Sequence, residues 1–237
     1  MAAGCHSDLA DLDGVFYDGD GRVVHCAVNL DTSAGSSLAS IDTALDRAAE
    51  RGEVVELYAH RPGLSVPLAT IEHVLAAARD RNLAFVTYAE FAAGAGTGPG
   101  LALSFDDSGV TYWMDAQPLF QRYGARVTFF ISRYAAMSDD HHALVRRLAD
   151  AGHDIAAHSV RHLRAPSYVE DHGLRAYLAD EALPSIEVLR DAGYPVTAYA
   201  YPFGARTDEL DRAIAKHVPI LRSVSFAVGP VSDPCPR

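Results

Sequence analysis

Short apolar runs recur along this chain, and between them the apolar positions shift to a spacing of three and four. The runs at 23–28, 54–59, 84–87, 101–105, 126–131, 154–157, 197–200 and 223–228 have the length and β-branched or aromatic content of strands buried on both faces. Helical spacing fills 36–51, 67–81, 116–123, 141–151, 174–192 and 207–216. In the segment from Pro67, the residues Leu68, Ile71, Val74, Leu75 and Ala78 fall on one stripe, and proline suits a first helical turn. Strands that alternate with helices in this way predict a parallel sheet with crossover helices, and about seven or eight such units close into a barrel. One stretch breaks the rhythm: residues 92–100 hold four glycines and a proline in nine positions. Neither side of it contains a complete chemical site, so it reads as a long surface loop inside one fold.

Composition narrows the class. A chain of 237 residues with 49% hydrophobic and 22% charged positions suits one large domain. No apolar run approaches the roughly 18 residues of a membrane-spanning helix. A formal charge of −11 would repel a phosphate backbone, which argues against nucleic acid as a partner and for a neutral or weakly charged substrate. The three cysteines, Cys5, Cys26 and Cys235, have no metal-ribbon or redox spacing. Met-Ala-Ala-Gly-Cys5 resembles the end of a bacterial lipoprotein signal, with Cys5 as the lipid-bearing residue; an ordinary disordered start is the alternative. In an exported protein Cys235 would pair with Cys26 or with Cys5.

Chemistry concentrates where the apolar runs stop. Leu101-Ala-Leu-Ser-Phe-Asp-Asp107 ends a strand on two carboxylates, which is costly unless that end opens on a polar site. In a parallel barrel such strand ends are where active sites assemble; an Asp-rich turn is the plainer reading. His158 and His162 stand four positions apart, on one helical face or in one tight turn, within reach of a single metal. A His/His/Asp set leaves coordination positions open, as hydrolytic metal sites require. His141, His142 and His153 read as surface residues. Tyr201-Pro202-Phe203-Gly204 follows another apolar strand and holds the backbone in a turn able to aim an N–H at a developing oxyanion.

Taken together, Ser104-Phe-Asp-Asp107, Arg126-Val-Thr-Phe-Phe-Ile131, Gly152-His-Asp-Ile-Ala-Ala-His-Ser-Val-Arg-His162 and Tyr201-Pro-Phe-Gly204 resemble the first three motifs of the polysaccharide deacetylase family with NodB homology, carbohydrate esterase family 4. The resemblance spans about 100–225. It implies an α/β fold, a distorted (β/α) barrel of about seven strands, and metal-dependent removal of N- or O-acetyl groups from sugars. The family's closing elements look displaced to the front: Val28-Asn-Leu-Asp31, the helix at 36–51, Val54-Val-Glu-Leu-Tyr-Ala-His60, the helix at 67–81, and an aromatic strand over 83–91. The chain therefore resembles a circularly permuted member, with 1–22 an extension, 23–91 equivalent to the family's usual C-terminal part, 92–100 the connector, and 101–237 the motif-bearing part. A fragment of a tandem array is the competing explanation.

Carried over by motif, the resemblance assigns Asp107, His158 and His162 to one divalent metal, zinc first and cobalt or nickel as alternatives. It makes Asp106 the general base, His60 the acid that protonates the leaving group, and Asp31 the partner that orients His60. Phe203, with Tyr201 and Pro202, would form the oxyanion and substrate turn. Two departures stand out. The family's arginine two residues before the motif proline is Ala200 here, so that Arg161 or Arg206 pairs with Asp106 or the base is less acidic. The family's tryptophan beside the fourth motif is also missing, since Trp113 lies elsewhere. The implied activity is deacetylation of peptidoglycan, a chitin-like chain or an exopolysaccharide by a monomer exported to the cell envelope or the extracellular space, with a cytoplasmic location as the alternative. The alternatives are a glycan-binding domain without turnover, favoured by Ala200, and an amidohydrolase acting on a small cyclic amide in a closed pocket.

Overall fold

Among the described residues, 9–225 and 235, the computed structural model has seven parallel strands closed into a barrel, with two short strands at its rim. In chain order the strands are β1 (Phe16–Tyr17), β2 (Val24–Asn29), β3 (Val54–Ala59), β4 (Ala84–Phe85), β5 (Gly100–Asp107), β6 (Thr128–Ile131), β7 (Asp154–Ala157), β8 (Ala198–Ala200) and β9 (Ile220–Val224). The helices are α1 (Leu38–Arg51), α2 (Leu68–Asp80), α3 (Tyr88–Ala92), α4 (Val110–Tyr123), α5 (Asp139–Asp150), α6 (Ala165–His172), α7 (Leu174–Tyr177), α8 (Leu183–Asp191) and α9 (Asp208–Ile214). Around the barrel the order runs β3, β2, β9, β8, β7, β6, β5 and back to β3.

The closure is uneven, and the register says why. β3 pairs with β5 along its whole length, from Val54 opposite Gly100 to Ala59 opposite Phe105. By contrast β2 meets β3 only at Val28–Leu57 and Asn29–Tyr58, and β6 meets β5 only from Ser104–Thr128 onward. At the splayed N-terminal end, antiparallel β1 covers the start of β3 and parallel β4 covers the start of β5.

Alternation along each strand separates two cores. Leu101, Leu103 and Phe105 face outward, where they join Trp113, Phe120 and Phe129 under the helices. Ala102, Ala156, Ala198 and Ala200 face inward, and their small side chains leave room for Tyr88 and Phe130. The same inward parity carries charge. Glu56 and Arg222 are fully buried and Asp106 nearly so, an arrangement that requires partners. On the barrel floor the Tyr88 hydroxyl donates to Glu56 at 2.7 Å, and His25 Nδ1 lies 2.8 Å from the other Glu56 oxygen.

Several elements differ from the sequence expectation. The aromatic strand expected over 83–91 is a two-residue strand followed by α3, because Thr87 and Glu90 form a capping box that starts a helix at Tyr88. The helix expected at 174–192 is interrupted by a π-helical turn, Leu178–Ala182, and α6 is an additional helix. The last strand lies at 220–224 instead of 223–228, of which 226–228 fall outside the described residues. Residues 9–17, expected in an extension, bury Leu9, Val15 and Phe16 against the barrel. His153 is a buried core residue, not a surface one: Val127 N–H donates to Nδ1 at 3.2 Å and Nε2 meets Gln117 at 2.8 Å. Burial pushes its pKa down to about 4. Of the two cysteine pairings left open, the disulfide is Cys26–Cys235. Cys5 lies outside the described residues.

Candidate active site

The residues assigned in the sequence to metal, base, acid and acid partner come to the C-terminal mouth of the barrel, together with Phe203. Asp106 and Asp107 end β5, His158 follows β7, His60 follows β3, Asp31 follows β2 and Phe203 follows β8. The backbone there is strained: Asp107, Arg133, Ser159, His162 and Phe203 are five of the six non-glycine residues with positive φ among the described residues. Such conformations persist only where the surroundings enforce them, and they gather at functional sites.

Asp107, His158 and His162 each offer one ligand atom, all within 4.8 Å of one another. Asp107 Oδ1 is 3.1 Å from His162 Nε2 and 3.7 Å from His158 Nε2. One carboxylate oxygen and two imidazole nitrogens converging with space beside them suit a divalent transition ion with open positions. The outer contacts agree. His158 Nδ1 lies 2.9 Å from the carbonyl of Ala200, which only accepts, so Nδ1 carries the proton and Nε2 presents its lone pair. Burial pushes the His158 pKa down to about 4, which keeps the ring in the neutral form that a metal would need. For Asp107, burial works to raise the pKa, but the His162 hydrogen bond and the neighbouring histidines outweigh it and hold the carboxylate well below its usual range.

The histidine pair sits in a tight turn, not on a helix. Ser159 Oγ accepts from His162 N–H at 3.0 Å. Arg161 N–H donates to Glu181 at 2.8 Å and its guanidinium pairs with the same carboxylate. Glu181 is fully buried in the π-turn, so the ligand loop is tied to the helical layer behind it.

Asp106 is paired neither with Arg161 nor with Arg206, which is engaged by Asp211 at 2.7 Å and Asp208 at 2.8 Å. Its partner is Arg222, whose Nη2 donates to Asp106 Oδ2. Arg222 is fully buried between the rings of Tyr58 and Phe130, each 4.9 Å from the guanidinium carbon. It stands directly opposite Ala200 in the β8–β9 ladder. The sequence reading missed it by starting the last strand at 223, although an arginine between Leu221 and Val224 in an apolar run is itself a signal of an inward charge. The second oxygen of Asp106, Oδ1, is buried without a hydrogen-bond partner among the described residues.

His60 faces this group from β3 and lines the same cavity as Asp106, Asp107, His158 and His162. Its Nδ1 bonds to Asp31 Oδ2, while Asp31 Oδ1 accepts from the His60 amide at 3.2 Å and from Ser65 Oγ at 2.7 Å. Burial alone would lower the His60 pKa, yet the Asp31 bond and the charges of Asp106 and Asp107 raise it. Trp113, which the sequence reading placed away from the site, donates its indole N–H to the His60 carbonyl at 2.8 Å and so fixes the backbone behind the ring.

The turn after β8 divides its labour. Phe203 is exposed with its ring 4.7 Å from that of His162, whereas Tyr201 and Pro202 are buried and do not line the cavity. Tyr201 donates its hydroxyl to Asp211 at 2.8 Å and its amide to Arg222 O at 3.0 Å. Gly204 allows β9 to pass close by: a Cβ there would meet Val224 Cγ2 at 2.3 Å. The amides of Gly204 and Ala205 bond to Tyr201 O and Pro202 O, and the Phe203 amide meets no carbonyl among the described residues.

Two hollows flank the three ligands. One of about 560 Å³ reaches from His60 to Phe203, the other of about 360 Å³ extends past Arg61 and Arg133, and both are lined by Asp107 and His162. The outline is an open groove across the ligand set.

The polysaccharide deacetylase family model matches residues 93–220, more than half of the chain. No curated protein matches it in sequence. In fold it is similar to IcaB from Ammonifex degensii, with a TM-score of 0.60 at 17% identity over 76% of this chain and 92% of that one. It is also similar to the deacetylase domain of BpsB from Bordetella bronchiseptica, with a TM-score of 0.52 at 13% identity over 90% and 96%.

Proposed function

The chain belongs to the polysaccharide deacetylase family, and from that premise we propose that it is a metal-dependent hydrolase removing acetyl groups from an N-acetylated glycan. Asp107, His158 and His162 would hold the ion, zinc by preference for this donor set. Bound there, a divalent cation would acidify water and polarise the acetyl carbonyl. Asp106 Oδ1 takes the proton of the attacking water, while Arg222 holds the carboxylate in place. The Phe203 amide donates to the oxyanion that forms as water adds to the carbonyl. His60, protonated and oriented through Nδ1 by Asp31, gives its Nε2 proton to the departing sugar nitrogen; acetate and a free amine leave.

The observation that carries this reading is His60 lining one cavity with the base and the three ligands. The open groove favours a polymer over a small cyclic amide, and the Arg222–Asp106 pair answers the missing arginine that favoured a binding domain without turnover. The reading of the chain as circularly permuted draws support from the family model, which begins at 93, and from β2 and β3, which complete the same barrel ahead of it. Because that closure comes from the chain's own strands, it speaks against a piece of a neighbouring repeat. The Cys26–Cys235 disulfide supports an exported protein, since such bonds persist in oxidising compartments.

Metal-replete protein is expected to release acetate from a panel of acetylated glycans. Asp106→Asn is expected to lower kcat by roughly 10²–10⁴-fold with glycan affinity retained. No acetate from any glycan of the panel would overturn the proposal.

A further inference from the structure

The second lobe of the groove has a chemical character opposite to that of the whole molecule. The chain carries a formal charge of −11, yet this lobe is lined by Arg61, Arg133 and His141, with Tyr112 and Ser108 between them. The one carboxylate lining it is Asp107, whose charge belongs to the ligand set. Asp139 and Asp140 share the first turn of α5 with His141 but line no part of the lobe. Arg61 directly follows His60, and Arg133, which lines the same lobe, has its backbone held at φ +58°. Among the described residues neither arginine pairs with a carboxylate; the bond from the Arg133 side chain goes to the carbonyl of Arg161 at 3.4 Å.

Two arginines lining one hollow, neither paired with a carboxylate among the described residues, offer planar guanidinium groups of the kind that bind a carboxylate. Tyr112 adds an aromatic surface of the kind on which a sugar ring packs. Since Asp107 and His162 line both lobes, a sugar in this lobe adjoins the one whose acetyl group is attacked. We propose that the lobe is a subsite for an acidic sugar, and that the preferred substrate is a glycan bearing a carboxylate on the residue next to the one deacetylated. This rests on reading the ligand set as the place of deacetylation.

The test uses zinc-loaded Asp106→Asn protein and three oligosaccharides of equal length: one alternating N-acetylglucosamine with glucuronate, its carboxyl-reduced twin, and a neutral N-acetylglucosamine oligomer. The acidic oligosaccharide is expected to bind about tenfold more tightly than its reduced twin, the effect of one moderate charge-assisted contact. That preference is expected to shrink as salt is raised and to vanish in Arg61→Gln/Arg133→Gln protein. Equal affinity for the acidic and reduced twins overturns the proposal, as does a preference that survives the double substitution. Acetate release by the native protein separates this from the underlying reading. Turnover without any acid preference sinks the subsite alone, and acid-dependent binding without turnover of any probe sinks the deacetylase reading while the subsite stands.

Discussion

Arg222 and Ala200 face each other across the β8–β9 ladder, so a guanidinium from β9 occupies the barrel level at which Ala200 has nothing to offer. Removing it would strand Asp106 as a buried, uncompensated charge, a change that costs about 3–5 kcal/mol. Arg222→Ala is therefore expected to lose both stability and kcat, and Ala200→Arg in that background to recover part of each, because the vacated volume lies directly opposite. Denaturant melts and acetate release measure the two quantities, and absence of any recovery would argue against an exchangeable arginine. The proposed acid has its own signature. His60 must be protonated to donate, and its raised pKa extends activity upward in pH until the proton is lost. Asp31→Asn removes the carboxylate charge that helps raise it, so the alkaline limb of the kcat–pH profile is expected to move to lower pH. Asp106, Asp107 and His158 were legible in sequence because each stands at the end of an apolar run, His162 because it lies four positions after His158, and His60 because it ends a strand that resembles a displaced family motif. Arg222 was not, because an inward charge in the middle of a strand looks like a strand boundary when only the apolar pattern is followed.

At the scale of elements, the strands were legible where both faces are buried, as at β3 and β7, whose bounds match the apolar runs. Local chemistry overrode pattern elsewhere. Thr87 and Glu90 turn an aromatic run into α3. Pro184 lacks the N–H that a continuous helix over 174–192 would need, and its ring crowds the preceding turn, which widens to the π-turn ahead of it. That turn has a consequence for the ligands, since it presents Glu181 to Arg161 inside the loop between His158 and His162. Glu181→Gln is expected to loosen the loop and weaken zinc binding about 10–100-fold, the scale of lost outer contacts at metal sites, as measured by competition with a chromophoric chelator. Unchanged zinc affinity would show that the loop holds its geometry without that carboxylate.

For the whole molecule, the order of the chain makes the β2–β9 seam the place where the barrel is closed by residues far apart in sequence. β9 brings Arg222 and Val224 to the groove, and β2 brings Asn29 and leads to Asp31. Val24 to Ala27 pair with Leu221 to Val224 along this seam, with Cys26 opposite Ser223. The Cys26–Cys235 bond, spanning 209 positions, ties the chain end back onto the same seam. Cross-linking so long a loop removes much of the freedom of the unfolded chain, and losing such a bond costs about 2–5 kcal/mol. Reduction, or Cys26→Ser, is therefore expected to lower Tm by roughly 5–15 °C. Because the seam carries the partner of Asp106, the loosening has a local reading as well. Amide exchange in β2 and β9 should accelerate more than in β5 and β6, and acetate release should fall at temperatures where the rest of the barrel is still folded. Uniform acceleration across all strands would mean that the barrel opens as one unit and that the bond stabilises the fold without guarding the site.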